Sequence, residues 1–427
     1  MQKLLHWIDA RFPFTATWES QWGKYVAPKN FNFWYHFGAL AGLVLVMQIF
    51  TGIFLTMNYK PDATKAFDSV EYIMRDVEWG WLIRYLHSTG ASLFFVVIYL
   101  HMFRGLMYGS YRKPRDLVWI FGCLIYLTLM GEAFFGYLLP WGQMSYWGAQ
   151  VIVNLFSTVP FIGEGLALWI RGDYTISDIT LNRFFAFHVI ALPLVLLGLV
   201  TAHLIALHEV GSNNPDGIEI KHQPKNPMTG LPLDGIYSHP YYTIKDLVGI
   251  LVFLSVFSAI VFFVPAVGGL FLEDNNFIPA DPLKTPEHIA PVWYFTPYYA
   301  ILRAVPSELV SFLPATQFYG VLAMVAAVMV FFLLPWLDRG NVRSIRYRGN
   351  LYKSWLAAFV FAFLLLGYLG VVPVTVWGQF DGSFPFYGAD RATVVARVLT
   401  VVYFLFFLLM PWYTARDKTR PVPERTT

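Results

Sequence analysis

The sequence predicts an all-α integral membrane protein with eight transmembrane helices, of which the first four form a bundle. Three observations lead to this fold class. Hydrophobic residues make up 57% of the 427-residue chain and charged residues 13%, a balance too apolar for a soluble protein of this length. Apolar runs recur that are long enough to cross a hydrocarbon core, which takes roughly 20 helical residues. Two of these runs each carry a pair of histidines, His87 with His101 and His188 with His203.

The spans are set by the length of each apolar run, and their expected bounds hold to within several residues. They lie at 36–57, 82–108, 117–138, 184–207, 247–268, 318–337, 354–373 and 393–412. The segment before the first span begins MQKLLHWIDARFPF, which lacks the continuous apolar core and the small-residue cleavage site of a signal peptide. We expect residues 1–35 to form an arm that lies on the membrane surface.

The distribution of lysine and arginine predicts the orientation of the spans. Twenty of the 30 lysines and arginines lie in the N-terminal arm, in the C-terminal tail and in the loops near 104–116, 208–246 and 338–353. Nine lie in the loops of the opposite side. The positive-inside rule therefore predicts that both termini are cytoplasmic. The net charge of +3 follows from this asymmetry and gives no indication of nucleic-acid binding.

The two histidine pairs predict two layers across the bundle. One span separates the two histidine-bearing spans, so both run from the outer to the inner side. His87 and His188 are then expected near the outer side, and His101 and His203 near the inner side. A single membrane histidine can be a structural hydrogen-bonding residue, but an ionisable group in lipid is costly and is a candidate for function. Two spaced pairs fit two haem irons, each held by two imidazoles.

Glycines in the first and third spans repeat this spacing. Gly38 and Gly52, like Gly122 and Gly136, are fourteen residues apart, which is about 21 Å along a helix and nearly on one face. Helix packing alone would explain such glycines. Beside the histidine layers they also offer bare backbone for a flat macrocycle. The chain has one cysteine and no Cys-x-x-Cys-His segment, which excludes an internal disulfide and covalently attached haem. Two stacked b-type haems are therefore expected.

Six segments carry a resemblance to a known family: RYLHSTGAS, GYLLPWGQMSYWGA, RFFAFH, HEVGSNNP, HPYYTIKD and PVWYFTPYYAILRA. Along almost its whole length the chain resembles the bacterial cytochrome b family, the haem-bearing subunits of quinol:cytochrome c oxidoreductases. The resemblance implies that His87 and His188 hold a low-potential outer haem, and that His101 and His203 hold a high-potential inner haem. His188 and His203 are fifteen residues apart where mitochondrial members usually have fourteen, so we expect a local helix adjustment near Pro193.

Two arginines accompany the histidines of the second span. Arg84 lies three residues before His87, and Arg104 three residues after His101. Each is thus about one turn outward from a histidine. Arginines at such depths can simply extend to the membrane interface. A guanidinium also suits a carboxylate, and we favour hydrogen bonds from both arginines to haem propionates.

The resemblance implies a quinol-oxidation site on the outer side. The family's PEWY motif corresponds here to Pro291, Val292, Trp293 and Tyr294. The glutamate of PEWY is thought to accept a proton from quinol, which Val292 cannot do. Glu287 on the same loop is the leading substitute, with Tyr137 and water as alternatives. Gly148 in GYLLPWGQMSYWGA would leave room for the quinol ring on the opposite wall, although proline and aromatic residues are also common at membrane interfaces.

On the inner side, the resemblance implies that quinone is reduced near His208, Ser212 and Asp246. A histidine and a carboxylate can bond the two quinone carbonyls and relay protons. Lys245 could turn toward Asp246 and assist proton uptake. The alternative is an ordinary polar cytoplasmic loop.

The implied activity is that of the catalytic core subunit of a quinol:cytochrome c oxidoreductase, which contributes to a proton gradient. One electron from quinol would leave to a Rieske-type iron–sulfur protein and a c-type cytochrome subunit, and the other would cross both haems to quinone. The chain lacks the cysteines for these centres, so partners must supply them. The resemblance also implies a homodimeric complex, surrounded by lipid, in a bacterial inner membrane.

Four regions follow from this interpretation: an interfacial arm at 1–35, a haem-binding bundle with the first wall of the outer site at 36–210, a cytoplasmic loop with the inner site at 211–246, and a four-helix region with the PVWY loop at 247–427. Two other functions remain open. A di-haem membrane anchor of a dehydrogenase would share the histidines but lack the last four spans. A secondary transporter gives no reason for two histidine layers.

Overall fold

The membrane-spanning helices form the frame of the molecule. The computed structural model describes residues 2–306, 316–379 and 390–426. Within these ranges eight helical stretches are long and apolar enough to cross a membrane, which confirms the expected number. They are Phe33–Thr56, Gly80–Tyr108, Asp116–Leu138, Asp178–Val210, Tyr241–Phe263, Gln317–Leu337, Asn350–Val371 and Arg391–Leu408.

The N-terminal half contains four of these spans and several shorter surface elements. In chain order its elements are α1 Gln2–Asp9, α2 Phe14–Trp18, β1 Val26–Pro28, α3 Phe37–Thr56, α4 Ala66–Arg75, α5 Gly80–Tyr108, α6 Asp116–Leu138, α7 Gln143–Ser157, α8 Gly163–Arg171, α9 Asp178–Ala186 and α10 Leu192–Val210. The long helix α5 ends where Gly109 adopts a left-handed conformation (φ 64°), the usual stop for a helix.

The fourth span contains the local adjustment that its histidine spacing requires. Helices α9 and α10 are joined by a π-helical turn, Phe187–Ala191, which includes His188. A π turn holds one residue more than an α turn, so it absorbs the fifteenth residue between His188 and His203. Pro193 follows in the first turn of α10 and has no N–H for the preceding turn, which favours the wider turn there.

The C-terminal half contains the other four spans. Its elements are β2 Gly235–Tyr237, α11 Tyr241–Phe263, α12 Thr296–Ala304, α13 Thr316–Leu337, α14 Asn350–Val371, α15 Arg391–Leu408 and α16 Met410–Arg416. Helix α11 begins and ends earlier than the expected span at 247–268. It stops at Phe263 because Pro265 follows within two residues, and Gly268 and Gly269 then adopt positive φ angles.

Packing and buried hydrogen bonds join the helices. Helix α3 packs against α5, α6 packs against α10 and α13, and α12 packs against α13, α14 and α15. The hydroxyls of Tyr99, Tyr126 and Tyr298 form a chain with O···O distances of 3.2 and 2.9 Å. Association in lipid depends on such packing and on satisfied polar groups, because lipid tails are as apolar as the side chains.

Both termini lie at the same end of the molecule. Strand β1 of the N-terminal arm pairs antiparallel with β2, which precedes α11. The buried carboxylate of Asp234 binds Lys29 of the arm and Arg425 of the C-terminal tail, each with a nitrogen–oxygen distance of 2.8 Å. The even number of spans in the described residues agrees with this arrangement.

Candidate haem and quinone sites

Within each of the two histidine pairs, the two imidazole rings lie close to each other. The ring centroids of His87 and His188 are 6.1 Å apart, and those of His101 and His203 are 6.5 Å apart. A metal–imidazole bond of about 2 Å on each side, with roughly 1 Å from nitrogen to ring centre, puts two rings that share one metal about 6 Å apart. Each pair therefore has the separation that one iron ion between the rings requires.

The four glycines lie directly against the histidine rings. We define the His87 layer as His87, His188, Gly52 and Gly136, and the His101 layer as His101, His203, Gly38 and Gly122. If each glycine carried a Cβ atom, that atom would lie close to Cε1 of the neighbouring histidine ring. The distance would be 3.3 Å at both Gly52 and Gly38. It would be 3.5 Å at Gly122 and 2.3 Å at Gly136. The glycines thus make room for the imidazoles themselves, most tightly at Gly136.

In the His87 layer, both histidines have a hydrogen-bond partner at Nδ1. The hydroxyl of Thr51 lies 2.9 Å from Nδ1 of His87. The backbone carbonyl oxygen of Glu132 lies 2.9 Å from Nδ1 of His188, and its carboxyl oxygen Oε1 lies 3.1 Å away. A hydrogen bond at Nδ1 fixes the ring and leaves Nε2 as the metal-binding nitrogen.

In the His101 layer, the group nearest to Nδ1 of His101 is a guanidinium, which can only donate hydrogen bonds. Nη2 of Arg104 lies 3.3 Å from Nδ1 of His101, and Nη1 donates to Ser110 at 3.2 Å. The buried Nε of Arg104 and the buried Nδ1 of His203 have no hydrogen-bond partner among the described residues. A buried guanidinium with spare donors needs an anion nearby.

The donor sets of both layers fit haem. Arg84 makes no hydrogen bond or ion pair to another residue in the described ranges, and Arg104 has an unused buried donor. Each arginine is one turn from a histidine, where a propionate would supply the missing anion. With the ring separations and the glycines that make room for the imidazoles, the layers have the shape and chemistry of two bis-histidine haem sites.

The PVWY segment packs on α5. The ring of Tyr294 stacks on Phe95 with centroids 3.9 Å apart and planes 5° apart. Trp293 donates from Nε1 to the hydroxyl of Ser92 at 3.2 Å, and Val292 is buried. The valine therefore forms part of an apolar surface.

Three segments that are distant in sequence meet near Tyr294. Tyr137 donates its hydroxyl hydrogen to Oε2 of Glu273 at 3.0 Å. A Cβ on Gly148 would lie 3.6 Å from Cε1 of Tyr137. Burial raises the pKa of Glu273 to about 7, although the hydrogen bonds that it accepts act in the opposite direction. Burial and the nearby Glu273 carboxylate also raise the pKa of Tyr294, so Glu273 interacts with both phenols.

The structure does not bring Glu287 into this cluster. Its side chain is exposed and makes no hydrogen bond or ion pair to another described residue. The loop is held instead at an earlier point, where Gln143 N donates to Ile278 O at 2.9 Å and Ala280 N donates to Trp141 O at 3.0 Å. These bonds fix the stretch that carries Glu273 against the turn between α6 and α7. Glu273 was visible in the sequence, in FLEDNN, but its contact with Tyr137 depends on the fold.

At the end that carries the termini, His208 and Ser212 meet through the N-terminal arm. The ring of His208 stacks on Tyr25 with centroids 4.4 Å apart, and its Nδ1 lies 2.5 Å from Oε1 of Gln21. The hydroxyl of Tyr25 lies 2.9 Å from that of Ser212. Tyr25 thus links two of the residues that the sequence predicts for the inner site.

Asp246 contacts the start of the first span, just after the arm. Its Oδ1 lies 2.7 Å from Nδ1 of His36, a partner that the sequence did not predict. Lys245 places Nζ 4.3 Å above the ring of Tyr241, and no ion pair joins it to Asp246 within the described ranges. No hydrogen bond or ion pair between described residues joins Asp246 to His208 directly. The two clusters are connected through residues 25–36, which lead from the arm into the first span.

Comparisons with known proteins agree on one family. The family Cytochrome b/b6/petB matches residues 22–211, and Cytochrome b(C-terminal)/b6/petD matches residues 279–404. The cytochrome b of Allochromatium vinosum is 60% identical over 99% of this chain and 98% of its own length. A Bradyrhizobium diazoefficiens protein named cytochrome b/c1 is 43% identical over 98% of this chain and 56% of its own length. A solved structure titled hyperthermophilic respiratory Complex III matches with a TM-score of 0.83 and 37% identity, covering 96% of this chain and 99% of that chain.

Proposed function

Because this chain belongs to the cytochrome b family, the electron-transfer subunits of respiratory complex III, we propose that it oxidises quinol at one membrane face and reduces quinone at the other. The observation that carries this proposal is the pair of histidine layers, with ring separations of 6.1 and 6.5 Å. When bound, two b haems supply one-electron carriers between the two quinone sites. The whole-length similarity also disfavours a di-haem anchor, which would lack the second half.

The termini end is the cytoplasmic face in this proposal, as the positive-inside rule predicts. His87 and His188 then hold the outer, low-potential haem, and His101 and His203 the inner, high-potential haem. Arg84 and Arg104 bind their propionates. The protein is a multi-pass subunit of a bacterial inner membrane.

Partners complete the reaction. A Rieske-type iron–sulfur protein accepts one electron from quinol and passes it to a c-type cytochrome subunit, within a homodimeric complex in lipid. The similarity to a protein named cytochrome b/c1 and to a structure titled Complex III supports this assembly.

We propose Glu273 as the proton acceptor of the outer site. Quinol lies between Gly148, Tyr137 and the PVWY segment, and Val292 supplies an apolar wall. Tyr137 holds the carboxyl group of Glu273 at 3.0 Å, at the edge of this space. A base with a pKa near the working pH combines a large unprotonated fraction with enough basicity to take the quinol proton. Glu273 therefore takes the role that Val292 cannot perform.

The inner site lies between the two clusters that contact the N-terminal arm. His208 and Ser212 form one side and Asp246 the other, with Tyr25 and His36 as the connecting groups. The imidazole and the carboxylate offer a donor and an acceptor to the two ends of a quinone. Lys245 lies beside Asp246 in sequence and brings a positive charge to the proton entry.

Two variants of one loop test the acceptor. Glu273→Gln is expected to lower quinol:cytochrome c turnover on the order of 100-fold, the lower end of what a general base contributes. The turnover of the parent should rise with pH through about 7 as Glu273 loses its proton, and this rise should be absent from the variant. The matched control is Glu287→Gln, an exposed acid on the same loop. Equal turnover in Glu273→Gln and the parent would exclude Glu273 as the proton acceptor. Lowered turnover in Glu287→Gln alone would instead assign that role to Glu287, the acid nearer to PVWY in sequence.

Redox titration of the purified complex tests the function as a whole. The reduced-minus-oxidised spectrum should contain b-type bands that titrate as two components of unequal potential, because the charged groups beside the histidines differ between the two layers. Inhibitors of quinol oxidation and of quinone reduction should each block turnover separately. A chain without b-type bands would be a transporter or a structural protein instead.

A further inference from the structure

An acidic residue in the third span contacts one of the proposed haem ligands. Glu132 lies in α6, one turn before Gly136. Its Oε1 lies 3.1 Å from Nδ1 of His188, and the Glu132 and His188 side chains are 15% and 17% exposed. Its second oxygen, Oε2, is buried and has no hydrogen-bond partner among the described residues. An acid at this depth is costly, so a contact with a specific partner calls for an explanation.

His188 is the exception among the four histidines. Nδ1 of His87 faces the hydroxyl of Thr51, Nδ1 of His101 faces a guanidinium, and Nδ1 of His203 has no partner in the described ranges. Of these four histidines, only His188 has a carboxyl group of a described residue within 4 Å of Nδ1. The two layers therefore differ in charge beside the ligands, in addition to any difference in depth.

We infer that Glu132 is a positioning residue that accepts a hydrogen bond from Nδ1–H of His188 and lowers the midpoint potential of the haem in the His87 layer. This inference rests on the proposed function, because it requires a haem between His87 and His188. A metal-bound histidine that donates its second N–H to a carboxylate is held in one tautomer and orientation and becomes a stronger electron donor. Stronger donation favours ferric over ferrous iron, which lowers the potential.

The backbone carbonyl oxygen of Glu132 also accepts a hydrogen bond from Nδ1 of His188, at 2.9 Å. The effect of the Glu132 side chain must therefore be separated from that of its carbonyl. The carbonyl alone would fix the tautomer of His188. The side chain adds a second acceptor oxygen at 3.1 Å and, when ionised, a negative charge next to the ring, where low dielectric strengthens its effect on the iron. Removal of the side chain should therefore change the potential while leaving the ligand in place.

The test is a redox titration of the complex with Glu132→Gln and Glu132→Ala. Gln keeps the size and an acceptor oxygen but removes the charge, and Ala removes both. In Glu132→Ala, at a fixed ambient potential, we expect the ratio of reduced to oxidised His87-layer haem to rise about tenfold, which equals 59 mV for one electron. A smaller rise is expected in Glu132→Gln. The potential of the His101-layer haem should not change.

Thr128→Val on the same helix is the matched control, because the Thr128 hydroxyl donates to Leu124 O of its own helix and has no hydrogen bond to a histidine among the described residues. Unchanged midpoints in both Glu132 variants, or equal shifts of both haems, would overturn the inference. Loss of the His87-layer haem from both variants would also overturn it, because the backbone carbonyl of Glu132 should keep His188 in place without the side chain. A parent complex that lacks this haem would instead refute the proposed function.

Discussion

At the residue scale, the four glycines of the two layers are not equivalent. Each lies against a histidine ring, but the space left for a Cβ differs from 2.3 Å at Gly136 to 3.5 Å at Gly122. Only the second value is an ordinary contact distance. The His188 ring cannot move away easily, because Glu132 holds its Nδ1. Of the four glycines, Gly136 is therefore the one that tolerates a side chain least.

Alanine substitutions at two glycines of one helix test this difference. Gly136→Ala should displace His188 and lose the haem of the His87 layer, since overpacking of this degree costs about 1–3 kcal/mol or more. Gly122→Ala, fourteen residues away on the same helix, should keep both haems. Haem content and redox titration measure the outcome, with the expected loss being one of two components. Retention of both haems by Gly136→Ala would show that His188 has more room than the structure gives it.

Some site residues could be predicted from the sequence, and others could not. The histidines and glycines could be predicted because the spacing of residues in a helix determines which of them share a face. Glu287 is the acid nearest to PVWY along the loop, but proximity along a loop does not determine where a side chain points. Glu273 reaches Tyr137 only through the loop's hydrogen bonds to the α6–α7 turn. Glu132 is recognisable in the sequence as an acid within a span, but its contact with His188 depends on the packing of α6 against the fourth span.

At the element scale, the fourth span shows how a helix accommodates an extra residue. Between His87 and His101, α5 is regular and the spacing is fourteen. Between His188 and His203 the spacing is fifteen, and the π turn Phe187–Ala191 takes up the difference. The sequence predicted an adjustment near Pro193 from the spacing, but not its form, because several backbone distortions can absorb one residue.

Two single-residue deletions test the π turn. Deletion of Ile190, a lipid-exposed residue within it, should convert the turn to α-helix and preserve both haems. Deletion of Val96, in the regular helix α5, should rotate His101 by about 100° relative to His87 and lose the haem of the His101 layer. Haem content of the two purified variants distinguishes these outcomes. Loss of a haem after deletion of Ile190 would mean that the π turn itself, rather than the corrected spacing, positions His188.

At the scale of the whole molecule, the number of spans was predictable because hydrophobic length is a local property of the sequence. The arrangement at the termini end was not. It depends on pairings over long sequence distances, such as β1 with β2, Tyr25 with Ser212, and His36 with Asp246. The N-terminal arm thereby forms part of the proposed inner quinone site, although the sequence indicated only an interfacial segment.

Asp234 is the point at which the arm, the long loop before α11 and the C-terminal tail meet. Its fully buried carboxylate accepts from Arg425 at 2.8 Å, Lys29 at 2.8 Å, the Thr426 amide at 3.0 Å and Gln223 at 2.9 Å. Burial opposes ionisation, but these hydrogen bonds lower the pKa of Asp234 below its usual range. An acid with a lowered pKa stabilises the folded state above its unfolded pKa near 4, and this stabilisation is lost as the pH falls below that value.

Asp234→Asn should therefore release the C-terminal tail without unfolding the membrane helices. The amide cannot satisfy Arg425 and Lys29 as a carboxylate does, and both cations are partly exposed, so they can return to water at modest cost. We expect trypsin to cleave the C-terminal tail, the part of the chain beyond Arg416, several-fold faster than in the parent. The haem content should not change. Glu424→Gln, an exposed acid beside Arg425, is the control and should be cleaved at the rate of the parent. If Asp234→Asn is cleaved no faster than the control, the tail is held by its other contacts, such as those of Asp417 and Arg420 with residues 347–352.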